Sequence, residues 1–249
     1  MRRSTIPAAV FAMLLGPVAA AEQRQPRFTD DFPIEDCAFV PRGGNAFFQL
    51  VPGRQLYLSN QQCVATGECD ELEEVWITVL PQKRTIVSKD AGRERRVTTR
   101  VVEEVETSDG ELVEISRNFF ATCRPANDVY YFGEDVDIYK DGKVVSHDGQ
   151  WLAGRHKAEP GMIMPDSAFL LGTRYFQEIA PGVALDRAEH VKSDLDVQTP
   201  AGAFEDCIKI EETTPLEPGE KSIKLYCAGV GLVADGDLIL QALYDPRSR

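Results

Sequence analysis

The amino-acid sequence predicts a mainly β protein, folded as a curved antiparallel sheet or a β-sandwich with few short helices. β-branched and aromatic residues recur at alternate positions in many short runs, and glycine-containing turns separate these runs. No window of a dozen residues has a sustained apolar period of about 3.6 residues. The runs predict strands over 75–80, 96–106, 112–122, 129–139, 143–151, 173–179, 188–197, 204–211, 223–227 and 238–244.

Three further segments have their own local predictions. Lys140-Asp141-Gly142 predicts a hairpin turn, since glycine readily adopts the positive φ that tight reversals require. Residues 182–191 predict one or two turns of helix, with Val183, Ala184 and Ala188 on the inner side. The stretch 155–167 is rich in Pro, Gly and Met and predicts a long loop, where an internal boundary would fall.

The first 21 residues are typical of a signal peptide. Arg2 and Arg3 precede an apolar run over 6–18, and small residues follow at the expected cleavage site. The run is too short to span a hydrocarbon layer of about 30 Å. We therefore expect a single β-rich domain over 22–249, a periplasmic or secreted location, and no integral membrane segment after cleavage.

The chain is strongly acidic. It has 27 Lys and Arg against 40 Asp and Glu, a net charge of −13. Removal of the leader would leave 25 basic residues against the same 40 acids, or about −15. Such a surface repels phosphate groups, so nucleic acid is not expected as a partner, whereas cations are compatible with it.

Six cysteines follow the leader, and an even number in an oxidising compartment predicts three disulfides. Fifteen pairing patterns exist for six cysteines. Short spacing favours Cys63 with Cys69, and a predicted hairpin favours Cys207 with Cys227, which leaves Cys37 for Cys123. A thiolate metal site is disfavoured, because no C-x-x-C spacing is present.

The pair Cys207 and Cys227 meets one difficulty. Ile208 and Ile210 share a face that excludes Cys207, whereas Cys227 shares its face with Leu225. If the apolar faces coincide, the two sulfurs point to opposite sides of the sheet. This bridge would then need a bulge or a different register.

Two groups of residues suggest metal binding. Asp135, Asp137 and Asp141 offer closely spaced oxygen ligands for calcium, although the segment lacks the central acid and closing Glu of an EF-hand loop. Thioether and imidazole groups suit copper, which Met162, Met164 and His156 would supply. Solvated acids and packed methionines explain both groups equally well. No cofactor is predicted.

Catalytic patterns give little support for an enzyme. Ser146, His147 and Asp148 are consecutive, so on a strand they point to alternate faces. No G-x-S-x-G motif is present. One further set of residues would supply a carboxylate and imidazole site: Glu178, Asp186, Glu189 and His190.

Five blocks, in this order along the chain, resemble a family of uncharacterised secreted bacterial proteins that are rich in β-structure. The blocks are NAFFQLVPG (45–53), YFGED (131–135), PGMIMP (160–165), QEIAPGVA (177–184) and TTPLEPG (213–219). This resemblance implies secretion and a single β-rich unit, and it implies no activity. TPAGAF (199–204) and GVGLV (229–233) are similar to blocks of envelope proteins with curved sheets, some of which hold apolar ligands or lipoproteins.

The sequence therefore favours a noncatalytic binding or interaction protein of the bacterial envelope, with an apolar ligand or another envelope protein as its partner. A periplasmic protein that binds calcium or copper is the second reading, and a hydrolase is the third. Converging Asp and Glu oxygens would favour metal binding, and a buried His bonded to Ser or a carboxylate would favour hydrolysis. An aromatic pocket would favour the first reading, with these residues as its lining: Trp76, Phe119, Phe120, Tyr131 and Phe176.

Overall fold

A computed structural model describes residues 27–90, 93–166 and 171–247, so the predicted signal peptide lies outside the described residues. The described chain is mainly β, as predicted. Its strands are β1 (Ala38–Val40), β2 (Gly43–Gly44), β3 (Gln49–Leu50), β4 (Gln55–Ser59), β5 (Glu73–Asp90), β6 (Arg93–Ser108), β7 (Glu111–Arg124), β8 (Val129–Lys140), β9 (Lys143–Ser146), β10 (Trp151–Leu152), β11 (Glu159–Met164), β12 (Arg174–Phe176), β13 (Glu178–Ile179), β14 (Arg187–Thr199), β15 (Gly202–Thr213), β16 (Ser222–Cys227), β17 (Gly231–Asp235) and β18 (Leu238–Tyr244). The helical elements of these ranges are α1 (Gln61–Thr66) and a 3₁₀ turn (Ile34–Asp36). Neither has the length and apolar character that a membrane-spanning helix needs.

One antiparallel sheet dominates the described chain, in the order β12-β14-β15-β16-β17-β18-β4-β5-β6-β7-β8-β11-β13. Strands β9 and β10 pair with β8, and β1 pairs with β7. The first and last strands of the order, β12 and β13, are separated along the chain by Gln177 alone. This short connection bends the sheet nearly to closure, so the curved sheet is the form adopted.

The closure point depends on a close backbone approach. A Cβ atom at Gly161 on β11 would lie 2.2 Å from the carbonyl oxygen of Gln177, which leaves room only for glycine. The side chain of Gln177 crosses to β15, where its Nε2 donates to Glu212 Oε1 at 2.7 Å. The two ends of the sheet are thereby held together.

The N-terminal segment packs on the outer face of β8. Phe39 contacts Tyr130 and Phe132 edge to face, with ring centroids 5.4 and 5.1 Å apart. Arg95 donates to the carbonyl oxygens of Ile34 and Cys37. Because Tyr130 and Phe132 alternate with the inward-facing Tyr131, this apolar core lies on the side of the sheet opposite its interior.

Three disulfides join Cys37 to Cys123, Cys63 to Cys69 and Cys207 to Cys227, which are the pairs that the sequence favours. The difficulty foreseen for Cys207 and Cys227 does not arise, since the two lie directly opposite each other. Both faces of β15 are apolar. Ile208 and Ile210 belong to the main core, whereas the disulfide has its own apolar cluster with Leu58, Val233 and Leu240.

Two local predictions were wrong. Residues 182–191 form a turn followed by the start of β14, because Ala188 and His190 are buried at strand spacing rather than at helical spacing. The predicted loop 155–167 contains β11, whose Met162 pairs with Tyr130 of β8. Its high content of Pro and Gly concealed a strand in which Pro160, Gly161 and Met164 are buried.

Candidate ligand-binding cavity

A cavity of about 950 Å³ lies on the inner face of the curved sheet. Strands β4 to β8 supply most of its wall, and β16 and β17 face them from the other side. Since directly paired residues project to the same side of a sheet, the strand register shows how the wall is built. Three rows of paired residues cross it: Leu58, Val75, Glu106 and Glu114; Leu56, Ile77, Glu104 and Ser116; and Val79, Val102, Asn118 and Glu134.

Each of these rows begins with an apolar residue and ends with a polar one. Strands β4 and β5 form an apolar wall, whereas β6, β7 and β8 carry carboxyl, hydroxyl and amide groups. The cavity is therefore amphipathic across its width.

The inner end of the cavity is aromatic. Phe120 contacts Phe48 edge to face at 4.9 Å between centroids and stacks on Tyr131 at 4.6 Å. The hydroxyl of Tyr131 donates to Asn118 Oδ1. Asn118 Nδ2 in turn donates to Ser116 Oγ at 3.2 Å and lies 3.4 Å from Glu104 Oε1. A chain of polar contacts thus connects the aromatic end to the carboxyl groups.

The basic side chains of the cavity are already paired with acids. Lys224 Nζ lies 2.9 Å from Glu212 Oε2 and 3.4 Å from Asp235 Oδ2. Arg54 pairs with Asp245 and donates to two backbone carbonyls. Of the described residues that line the cavity, ten are acidic and only these two are Lys or Arg. The cavity therefore carries an excess of negative or protonatable groups.

Burial changes the acidity of these groups. It raises the pKa of Glu106 to about 7, with the neighbouring carboxyls of Glu104 and Glu114 adding to the effect. It also raises the pKa of Glu134 to about 8, although the nearby Tyr131 hydroxyl acts in the opposite direction. Burial alone would lower the pKa of Lys224, but the nearby Glu212 and Asp235 outweigh it, so the ammonium keeps its charge.

The outer end of the cavity is exposed and acidic, with Asp70, Glu71, Glu73 and Asp237 at its rim. Cys63, Cys69 and Asp237 bring three potential metal-ligating atoms within 4.8 Å of one another. Both sulfurs belong to a disulfide, however, so they cannot act as thiolate ligands. No other group of three such residues converges this closely within the described ranges.

The calcium candidates lie outside the cavity. Asp135 and Asp137 project from the outer face of β8, where Asp135 pairs with Arg84. Asp137 lies 3.2 Å from Arg117 and 3.1 Å from His147 Nδ1. Asp141 is exposed in the hairpin turn. The structure does not bring the three together as a metal site.

The three copper candidates lie in different environments. Met164 is fully buried in the core, Met162 is half-buried on the same strand, and His156 is exposed in the preceding turn. This arrangement is typical of methionine used for packing.

The aromatic residues proposed as one pocket divide between two faces. Phe120 and Tyr131 line the cavity. Trp76 stacks on Tyr57 at 4.9 Å, Phe119 lies beneath Arg84, and Phe176 contacts Phe28. Neighbours on a strand point to opposite sides, so Phe119 and Phe120 cannot both face the cavity.

The catalytic candidates are not assembled. Ser146 Oγ accepts from the backbone amide of Asp148, in a turn, while His147 contacts Val136 and Asp137. The second candidate set is also divided. His190 is fully buried with Nε2 2.9 Å from the Tyr175 hydroxyl, and burial lowers its pKa to about 4.

The other members of that second set lie apart from the imidazole. Glu178 lines the cavity, whereas Glu189 pairs with Arg174 at 2.6 Å on the opposite side of β14 from His190. The half-buried Asp186 lies close enough to Glu212 and Lys224 for their charges to shift its pKa, and burial and the Glu212 charge raise it. His190 is thus a core residue.

The inward-facing acids of β6 were missed by sequence reasoning. The strand over 96–106 was predicted from the alternation of Val97, Thr99, Val101 and Val105, and no role was assigned to Glu104 or Glu106. Their recurrence at period two with Val102, opposite Glu114 and Ser116 on the next strand, was the signal available in the sequence.

Comparison with models of protein families, with curated proteins and with solved structures gave no match. The resemblance to secreted bacterial proteins stays a prediction from the sequence blocks. Several residues of those blocks face the cavity: Phe48, Tyr131, Glu134, Ile163 and Glu178.

Proposed function

We propose that this protein is an exported, noncatalytic binding protein that holds a small ligand with an apolar part inside its curved sheet. The observation that carries the proposal is the cavity of about 950 Å³ with one continuous apolar wall on β4 and β5. Ligand pockets in proteins commonly have volumes of roughly 300–1,000 Å³, with apolar linings and a few polar groups that orient the ligand.

The covalent framework supports an extracytoplasmic role. Three disulfides and a described chain without a membrane-spanning helix are consistent with a periplasmic or extracellular protein. The Cys37–Cys123 bridge fastens the N-terminal segment to β7, and the Cys207–Cys227 bridge crosses from β15 to β16 beside the cavity wall. These links stiffen the sheet around an internal space, which suits a preformed binding site.

Binding of a neutral apolar dye, N-phenyl-1-naphthylamine, tests the proposal. We expect saturable binding of one dye per chain, with enhanced fluorescence. Ile77→Trp places a large ring in the middle of the apolar wall and should weaken binding at least about tenfold, because it removes the space and contacts that the dye occupies.

Thr78→Trp is the matched control, since Thr78 is the next residue on β5 and projects from the opposite face. It should leave dye binding unchanged. Circular dichroism and thermal unfolding of both variants verify their folding. Dye binding that does not saturate, or that resists Ile77→Trp in a folded protein, would contradict a ligand site in the cavity.

A further inference from the structure

The chemical class of the ligand can be narrowed if the proposed cavity function holds. We propose that the cavity takes an amphiphilic cation, whose apolar part lies against β4 and β5 and whose ammonium group lies against Glu104, Glu106 and Glu134. The enclosed volume and its two different walls, rather than the number of carboxyl groups, point to such a ligand.

The position of the two walls sets the position of the two ligand parts. Leu56, Ile77 and Glu104 pair in this order across β4, β5 and β6, so apolar and acidic side chains lie next to each other on neighbouring strands. A ligand that lies across the strands would contact the apolar wall with one part and the acidic wall with the other. A molecule with an apolar chain and a terminal charge would direct that charge toward β6, β7 and β8.

The charge of the cavity decides the sign of the ligand. Lys224 is occupied by Glu212 and Asp235, and Arg54 is occupied by Asp245. A carboxylate, sulfate or phosphate group would therefore meet acidic side chains with no uncommitted Lys or Arg in the described lining. An ammonium group would instead be attracted by these acids in their ionised form.

Uptake of the cation should release protons. Burial and neighbouring acids raise the pKa of Glu106 to about 7 and that of Glu134 to about 8, so both carry protons for part of the time near neutral pH. A cation beside them favours the ionised form. At a pH below these pKa values the cation must displace protons from the two carboxyl groups, whereas at higher pH the carboxyl groups are already ionised. The affinity of the cavity for the cation should therefore rise with pH.

Other titratable and charged groups line the same space: Glu114 on β7, Tyr131 on β8, Glu178 on β13, Lys224 and Tyr226 on β16, Asp235 on β17, Arg54 before β4, and Asp70, Glu71, Glu73 and Asp237 at the rim. Glu212 on β15 and Asp186 before β14 act on the cavity acids through their charges. Lys224 keeps its charge throughout, because Glu212 and Asp235 hold its pKa well above the ordinary value.

Three probes with the same apolar chain test which ligand charge the cavity prefers: decyltrimethylammonium, decanol and decyl sulfate, each below its critical micelle concentration. They compete with the neutral dye. We expect the cation to bind about tenfold or more tightly than decanol, because the ionised carboxylates attract its charge, and decyl sulfate to bind most weakly. Titration calorimetry in two buffers of different ionisation enthalpy should show proton release with the cation alone.

The variant pair for this test lies on one strand. Glu104→Gln with Glu106→Gln should remove most of the preference for the cation over decanol. Glu103→Gln, on the outer face of β6, should keep the preference. If decanol displaces the dye but the cation binds no better, the ligand class is wrong and the cavity function stands. If none of the probes displaces the dye, the cavity function itself fails.

Discussion

Replacement of Glu106 by Gln should make the protein more stable at alkaline pH and leave its stability at acidic pH nearly unchanged. Glu106 lies in the acidic wall between Val75 and Glu114, and burial raises its pKa from an ordinary value of 4.5 to about 7. The folded state therefore binds more protons than the unfolded state between these values. The free energy of unfolding accordingly falls as the pH rises through this interval.

The size of the effect follows from the same two values. At about 1.4 kcal/mol for each pKa unit, ionisation of Glu106 costs the folded state on the order of 3 kcal/mol above pH 7. Gln has nearly the same shape and cannot ionise, so the variant avoids this cost. The gain is an upper limit, since Glu104 and Glu114 can hold protons in the parent and so weaken the repulsion on ionised Glu106.

Denaturant unfolding at about pH 4 and about pH 8.5 measures the difference. The midpoints of parent and Glu106→Gln should coincide at the lower pH, whereas the midpoint of the variant should be higher at the upper pH. Glu111→Gln removes the same charge from an exposed position at the start of β7, and should show no such dependence. Equal midpoints of parent and Glu106→Gln at both pH values would refute the raised pKa.

Three further predictions concern the framework and the sites outside the cavity. Gly142→Val should lower the free energy of unfolding by on the order of 1 to 3 kcal/mol. The reason is that Asp141 and Gly142 both have positive φ, 52° and 69°, in the two-residue turn between β8 and β9. A denaturation midpoint equal to that of the parent would show that this turn tolerates β-branched residues. Alkylation under denaturing, nonreducing conditions should label none of the six cysteines, and stoichiometric labelling of two or more would contradict the three disulfides. Millimolar calcium should change the melting temperature of Asp141→Asn and of the parent equally, since Asp135 and Asp137 form ion pairs with Arg84 and Arg117. A rise in melting temperature that is seen in the parent and lost in the variant would support calcium binding at these residues.

The cavity could be predicted only in part from the sequence. Phe120 and Tyr131 were expected in a pocket, and both line it. Trp76 was expected beside them, but it stacks on Tyr57 on the outer face. The sequence assigns these residues to strands, yet it does not show which face of each strand lies inside, because both faces of this sheet bury apolar side chains.

Glu178 and Lys224 show a second limit. Glu178 was predicted as part of a carboxylate and imidazole site with His190, but β13 carries it into the cavity while His190 is buried against Tyr175. Lys224 had no assigned role, and its position between Glu212 and Asp235 results from the pairing of β15, β16 and β17. These contacts join residues that are distant along the chain, and local sequence patterns do not predict them.

Local chemistry in the sequence was sufficient for the strand content, the hairpin at Asp141-Gly142 and the Cys63–Cys69 pair, since alternation, turn residues and short cysteine spacing act over a few residues. The tertiary structure decided the rest. A strand with valine and glutamate on both faces, such as β6, is equally compatible with either face inward. The inner face of β6 is defined by two tertiary features: the N-terminal segment covers the outer face of the sheet, and the sheet bends nearly to closure at Gln177. That closure turned Glu104 and Glu106 toward an enclosed space, where burial raises their pKa.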